Sequence, residues 1–148
     1  MYPKLSAICL NDNGNSDNCG IQSLVVSSTS FTCAEVDVNV VTLTATDVNG
    51  NTNTCTADVT VQDTVAPSAV CNDITVQLDA SGNASIVGAD INGASTDACG
   101  IASVTAAPNA FTCANIGANA VTLTVTDVNG NVSTCNSTVT VEDNVAPT

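Results

Sequence analysis

Histidine, tryptophan and arginine are all missing from this chain of 148 residues, and Lys4 is its one basic side chain. Without His or Arg, a Ser–His pair, an imidazole general base or a guanidinium clamp on an oxyanion cannot be assembled. Carboxylates are numerous, but no two sit in a setting that marks an acid/base couple. An autocatalytic Lys–Asn cross-link would have to use Lys4, which precedes both repeats described below. We therefore expect no enzyme and name no catalytic residue. Fourteen acidic residues against one basic give a formal net charge of −13, which excludes nucleic acid as a partner because phosphate contacts need Lys or Arg. No run of eighteen apolar residues occurs, so no membrane-spanning helix is expected. Met1–Leu5 lacks the apolar core of a signal peptide, so an exported protein would be represented here by a mature form or an excised piece. Aromatics are nearly absent too: Tyr2, Phe31 and Phe111 are the only three. Few stacking surfaces are left for a sugar ligand, and the core must be built from Val, Ile, Leu and Ala.

What the chain does have is a repeat. Val41-Thr-Leu-Thr-Ala-Thr-Asp-Val-Asn-Gly-Asn51 returns eighty residues later as Val121-Thr-Leu-Thr-Val-Thr-Asp-Val-Asn-Gly-Asn131. Apolar residues alternate with Thr, the period of a strand with one buried face. Asn49-Gly50 and Asn129-Gly130 then supply a tight turn, since both residue types tolerate positive φ. Val59-Thr-Val61 and Val139-Thr-Val141 lead back, completing the same hairpin twice. We read residues 1–63 as a first repeat, 64–67 as a linker stiffened by Pro67, 68–143 as a second repeat and 144–148 as the start of a further linker. The second repeat predicts strands at Ile74–Leu78, Ala84–Gly88, Ile101–Ala106, near Phe111–Cys113, Ala120–Thr126 and Ser133–Val141. Six or seven short strands in so short a span predict an all-β chain of two tandem immunoglobulin-like or fibronectin-like sandwiches.

Domains this small and aromatic-poor generally need covalent support. Eight Cys are present, four to a repeat, with no Cys-x-x-Cys pair. That pattern favours disulfides over zinc or redox chemistry and an oxidising, extracytoplasmic setting. Four Cys allow three connectivities, so the pairing rests on topology: first and last strands lie close in such a sandwich. This predicts Cys71–Cys135 and Cys99–Cys113, and by repetition Cys9–Cys55 and Cys19–Cys33.

The repeats differ at their start. Cys71 and Cys99 are twenty-eight residues apart, whereas Cys9 and Cys19 are ten apart. The first repeat lacks counterparts of Asp73–Asp90, the block that carries the first two strands. Two outcomes stay open: a remodelled, self-sufficient first domain, or an exposed edge filled by a strand from a neighbouring copy or repeat.

Ser-Ala-Val-Cys71, Thr-Asp-Ala-Cys99-Gly-Ile, Thr-Asp127-Val-Asn-Gly-Asn131 and the closing Cys135 together resemble the hyalin (HYR) repeat. More closely, the chain is similar to HYR-like arrays in surface and gliding-motility adhesins of Bacteroidetes. The resemblance covers the second repeat and the first from Cys9 onward. It implies immunoglobulin-like sandwiches, an extracellular location on the bacterial cell surface and a role in cell adhesion. Two functional classes follow: a structural unit of a surface filament or stalk, which we favour, or a module that binds glycan or another cell surface.

Two further sites are suggested by residue type. The hairpin turn of the second repeat and the loop after its second strand should share a pole, bringing Asp127, Asn129 and Asn131 near Asp97, with Asp63 arriving from the linker side. Carboxylates and amides without nitrogen or sulfur competitors suit calcium, so a Ca²⁺ site at the joint between repeats is one expectation. The other reading is a polar turn whose Asp bonds to nearby backbone. Asp63-Thr64-Val65 also resembles a bacterial O-glycosylation acceptor, with Thr64 as the modified residue.

Overall fold

Alternation of Val or Leu with Thr gives each repeat one long β-hairpin, and the rest of each unit is arranged on it. The computed structural model describes Lys4–Leu5 and residues 18–146, and the chain divides into Met1–Asp63 and Thr64–Thr148. The first unit contains β1 (Lys4–Leu5), β2 (Ile21–Val26), β3 (Asp37–Asp47) and β4 (Thr52–Val61). The second contains β5 (Ile74–Gln77), β6 (Asn83–Ser85), a four-residue helix α1 (Gly88–Ile91), β7 (Ile101–Ala107), β8 (Ala110–Thr112), β9 (Gly117–Asp127) and β10 (Val132–Glu142). Among the described residues the structure is all-β apart from α1 and two short 3₁₀ turns at Cys33–Glu35 and Cys113–Asn115.

In the second unit the main sheet runs β5-β10-β9-β7, and β6 pairs with β8 as a separate two-stranded sheet. Along β9, Val121, Leu123, Val125 and Asp127 are buried while the Thr between them are not. That is the period-2 pattern of a sheet with one covered face. Leu78, Ile86, Ile91 and Phe111 pack with Val121, Leu123, Val125, Val139 and Val141 in a single cluster. The small β6–β8 pair and α1 thus supply the cover for the hairpin. Gly88 opens α1 where a Cβ would collide with the Val104 carbonyl. Gly88→Ala is expected to lower stability by about 1–3 kcal/mol, the usual cost of overpacking. A urea titration checks it, and an unchanged midpoint would show that α1 can shift.

The first unit has the same hairpin but less around it. Its sheet runs β1-β4-β3-β2, and its buried cluster is Val41, Val59 and Val61, with Val26, Phe31 and Val36 against it. No described element corresponds to β6 or α1. Leu24, on β2 opposite Ala45, is 48 % exposed. The matching Val104 of β7 packs against the second unit's core. The edge of β4, however, is not bare. Lys4 and Leu5 pair antiparallel with Thr60 and Val59, at the positions equivalent to those where β5 pairs parallel with Thr140 and Val139. Of the two outcomes left open, these two residues match the first: here the edge is filled by the chain's own N-terminal strand, running the other way.

Other details refine the sequence reading. Ala84–Gly88 is not one strand, because β6 stops at Ser85 and Gly88 begins α1. Pro67, read as the residue that stiffens the 64–67 linker, is itself buried, and its carbonyl accepts a hydrogen bond from the Ser133 hydroxyl. In the hairpin turns only the glycines take positive φ, +88° at Gly50 and +89° at Gly130. The N–H of Gly50 donates to the Asp47 carbonyl and that of Gly130 to the Asp127 carbonyl, closing each turn.

Candidate functional site

The strands of the second unit give it two ends with different chemistry. Pairing of Ile101 with Asp127 puts the start of β7 beside the end of β9. The N–H of Val128 donates to the Gly100 carbonyl at 3.1 Å, so the 127–131 turn and the Asp97–Gly100 loop are joined at one pole. To that extent the sequence reading brings Asp97 and Asp127 to the same end.

Each carboxylate, however, accepts hydrogen bonds from its own loop. Asp127 is 1 % exposed and continues the inward face of β9. Its Oδ1 accepts from the backbone N–H of Asn129 at 2.9 Å and of Asn131 at 2.8 Å. Its Oδ2 accepts from the Asn131 side-chain amide at 2.8 Å. Asp47 repeats the arrangement with Asn49 and Asn51. Asp97 Oδ1 accepts from the N–H groups of Cys99 and Gly100. Asp63 closes the first unit and is half-buried. Calcium needs oxygens turned toward one point, whereas the Asp127 carboxylate is aimed at three N–H donors of its own turn. The geometry matches an Asx-type lock built twice.

These contacts set the acidity of the two carboxylates. At Asp47 the hydrogen bond from the Asn51 amide, then those from backbone N–H groups, hold the carboxyl below its ordinary value of 3.8. At Asp127 burial pushes upward, but the Asn131 amide and the N–H groups of Asn131, Asn129 and Gly130 outweigh it, so this carboxyl is also lowered. Glu35 is lowered by its bonds from the Thr32 hydroxyl and N–H. A carboxyl whose folded pKa is depressed stabilises the fold above its unfolded pKa, and that contribution fades as pH falls through the folded value. Melting temperature should accordingly be flat between neutrality and about pH 5 and fall below about pH 4. The double variant Asp47→Asn, Asp127→Asn should begin lower and lose less on acidification. Equal acid slopes in the two proteins would remove this explanation.

The turn reading also fixes a metal-removal result. Asp127→Ala should lower the melting temperature by roughly 5 °C or more, the scale of a lost buried hydrogen-bond network. The drop should be the same in excess chelator and in millimolar calcium. A loss that appears only when calcium is present would restore the cation.

The disulfides follow the strands. Cys71 and Cys135 are bonded, with Cα atoms 5.9 Å apart, which ties the entry of the unit to β10. Cys55, the equivalent of Cys135 in the first unit, is also disulfide-bonded, while Cys9 lies outside the described residues. The expected Cys99–Cys113 bridge is not formed: Cys113 keeps an exposed thiol and Cys99 is bonded elsewhere. The reason is strand length. Cys99 precedes β7 at the Asp127 end of β9, while Cys113 precedes the Gly117 end. Eleven residues of strand separate these ends by about 30 Å, and a disulfide tolerates about 7 Å between Cα atoms. Pairing of Ile21 with Asp47, and the position of Cys33 before Asp37, put Cys19 and Cys33 at opposite ends of β3 in the same way. That bridge is excluded by the same distance.

Sequence reasoning missed the lock at the other end of the hairpin. The Asn119 side-chain amide donates to the carbonyls of Asn115 at 2.7 Å and Gly117 at 2.9 Å. Asn39 donates likewise to Glu35 and Asp37. The signal was available: Asn recurs at the eighty-residue offset on a strand built mainly of Val, Ala, Leu and Thr. Thr64 is exposed, as an O-glycosylation acceptor must be. A shallow concavity lined by Leu43, Ala45, Asn53, Thr54 and Cys55 presents no charged group.

No protein-family model matches the chain, and no curated protein matches it either.

Proposed function

We propose that the chain is a repeat segment of an extracellular bacterial surface filament or stalk, a structural component of an adhesion system. In this reading its two units are immunoglobulin-like sandwiches of the hyalin-repeat kind. One observation carries the proposal: the same β-hairpin is built twice, and its Asp, Asn and Cys side chains lock the frame rather than frame a pocket. Asp47 and Asp127 hold their own turns, Asn39 and Asn119 hold the opposite ends, and Cys71–Cys135 clamps the last strand. Disulfides fit an oxidising environment, and no helix among the described residues is long and apolar enough to cross a membrane. A surface of net charge −13 keeps a densely displayed array soluble.

Electron microscopy of the native surface material, with antibody against this chain, tests the reading. Labelled filaments support it. Label confined to a non-filamentous layer, with specific binding of the purified chain to a glycan or a cell surface, would favour the ligand-binding module instead.

Association by strand exchange belongs to the same proposal. β1 pairs with β4 through two residues, Lys4 with Thr60 and Leu5 with Val59, and so short a strand can be exchanged for the same strand of another copy. At high concentration the chain should form head-to-tail oligomers in which β1 of one copy lies on β4 of the next. Deleting residues 1–5 should abolish them. Monodisperse monomer at millimolar concentration would end this part of the proposal.

A further inference from the structure

Asn stands directly before Gly four times in this chain, at Asn13, Asn49, Asn92 and Asn129. Such a pair has a chemistry of its own. The Gly nitrogen can attack the preceding side-chain carbonyl carbon, since Gly carries no Cβ to hinder closure of a five-membered ring. Sequence makes the four pairs equal, but folding does not. Asn13 lies outside the described residues, and the other three fall into two environments.

Asn92-Gly93 is held on both sides of the would-be ring. The Gly93 N–H donates to the Val70 carbonyl at 2.8 Å. Asn92 Oδ1 accepts from the Ser95 N–H at 3.0 Å and from the Ser95 hydroxyl at 2.7 Å. A Cβ on Gly93 would lie 2.8 Å from Val70 Cγ1, so the surroundings leave no room to turn. Asn49-Gly50 and Asn129-Gly130 are exposed, and a Cβ on either glycine would meet nothing within 4 Å. The glycine N–H groups donate only within the turn, at 3.2 Å to the Asp47 carbonyl and 3.3 Å to the Asp127 carbonyl. Asn49 and Asn129 are held through their backbone, each N–H donating to Oδ1 of its Asp. Among the described residues neither Asn side chain makes a hydrogen bond.

We propose that Asn49 and Asn129 are self-modification sites, where deamidation turns the side-chain amide into a carboxylate and releases the Asp47 and Asp127 locks. The Gly nitrogen loses its proton to solvent base and bonds to the Asn Cγ. The Cγ–Nδ2 bond breaks, and ammonia leaves with the proton. Water then opens the cyclic imide at either carbonyl, giving Asp or isoaspartate. Amide and water have become carboxylate and ammonium. In isoaspartate the main chain runs through the former side chain and gains one carbon. That carbon falls between the two N–H groups, of residues 49 and 51 or 129 and 131, that one Asp oxygen accepts together. In either product the new carboxylate stands two residues from an Asp whose negative charge it repels. Water is the only co-reactant, and the proposal does not depend on the filament reading.

The test uses the full chain, kept folded in warm, mildly alkaline buffer made with heavy-oxygen water. Peptide mapping that separates Asp from isoaspartate should find both products at Asn49 and Asn129, each carrying the heavy oxygen. They should form at least several-fold faster than any product at Asn92. In reduced, denatured chain the three sites should react at similar rates. Each event adds one negative charge to a chain already at −13, so anion exchange isolates the modified protein. Its melting temperature should lie several degrees below that of fresh protein, whereas the double variant Asn49→Ser, Asn129→Ser should keep its own through the same incubation. Equal rates at Asn92 and Asn129 in the folded chain would overturn the proposal. So would intact Asn49 and Asn129 in folded protein under conditions where the denatured chain reacts, or modified protein that melts like fresh protein.

Discussion

Replacing Cys71 and Cys135 together by Ala is expected to lower the melting temperature of the second unit by about 15–30 °C. The bond spans a sequence separation of 64, and in the chain-entropy model a loop of that size contributes about 4 kcal/mol. A small domain shifts by about 4–8 °C for each kcal/mol, and its whole stability is roughly 4–12 kcal/mol at this length. The bond therefore carries a large fraction of what holds the unit together. Its position explains why the fold needs it. Cys71 enters from the linker side, bridging to Asn92, and Cys135 sits on β10 opposite Leu123. Both pack against the core, where they occupy volume that an aromatic-poor sequence does not otherwise supply. Calorimetry of the full chain, with amide exchange across Val121–Val125 to assign the transition, reads the effect. A shift under about 5 °C would mean that strand pairing alone secures the entry segment.

The parts of this structure that could be read from sequence are those governed by local period. The alternation of Val121, Leu123 and Val125 with Thr specifies both a strand and its buried face, and the Asn-Gly pairs specify a turn. The link from Cys71 to Cys135 was legible because it depends only on which strands are first and last. Cys99 and Cys113 were misread because their separation depends on how far β9 runs between them, and sequence proximity hides that distance. The role of Asp127 stayed open between two readings for a different reason. An Asp in a polar turn looks the same in sequence whether its oxygens face a cation or three N–H donors, and only the closed turn decides. Four residues are too few to show a helical period, so α1 was not read, and its first residue, Gly88, was given to the preceding strand. The antiparallel return of Lys4–Leu5 onto β4 had no signal at all, since two residues have no pattern.

Phe111→Ala is expected to destabilise the second unit by about 3–5 kcal/mol, the range for removing a large aromatic from a packed core. Phe111 is 2 % exposed and is the only aromatic in its unit. It stands on β8, pairs with Ala84 of β6 and packs in the cluster that includes Leu78, Ile86, Ile91 and Leu123. Truncation leaves a cavity between the small sheet and the hairpin, and with β8 only three residues long there is little strand pairing to hold the cover in place. The equivalent Phe31 provides the comparison. It is only half-buried, against a cluster of Val41, Val59 and Val61, and no described strand corresponding to β6 lies beside it. Phe31→Ala should therefore cost less, about 1–2 kcal/mol on the scale of the apolar area it removes from water. Guanidinium titrations of both variants, followed by amide exchange on β3 and β9, separate the two units. Equal losses at the two positions would show that Phe31 is as well covered as Phe111, and that the cover of the first unit comes from residues other than those that form β6 and α1 in the second.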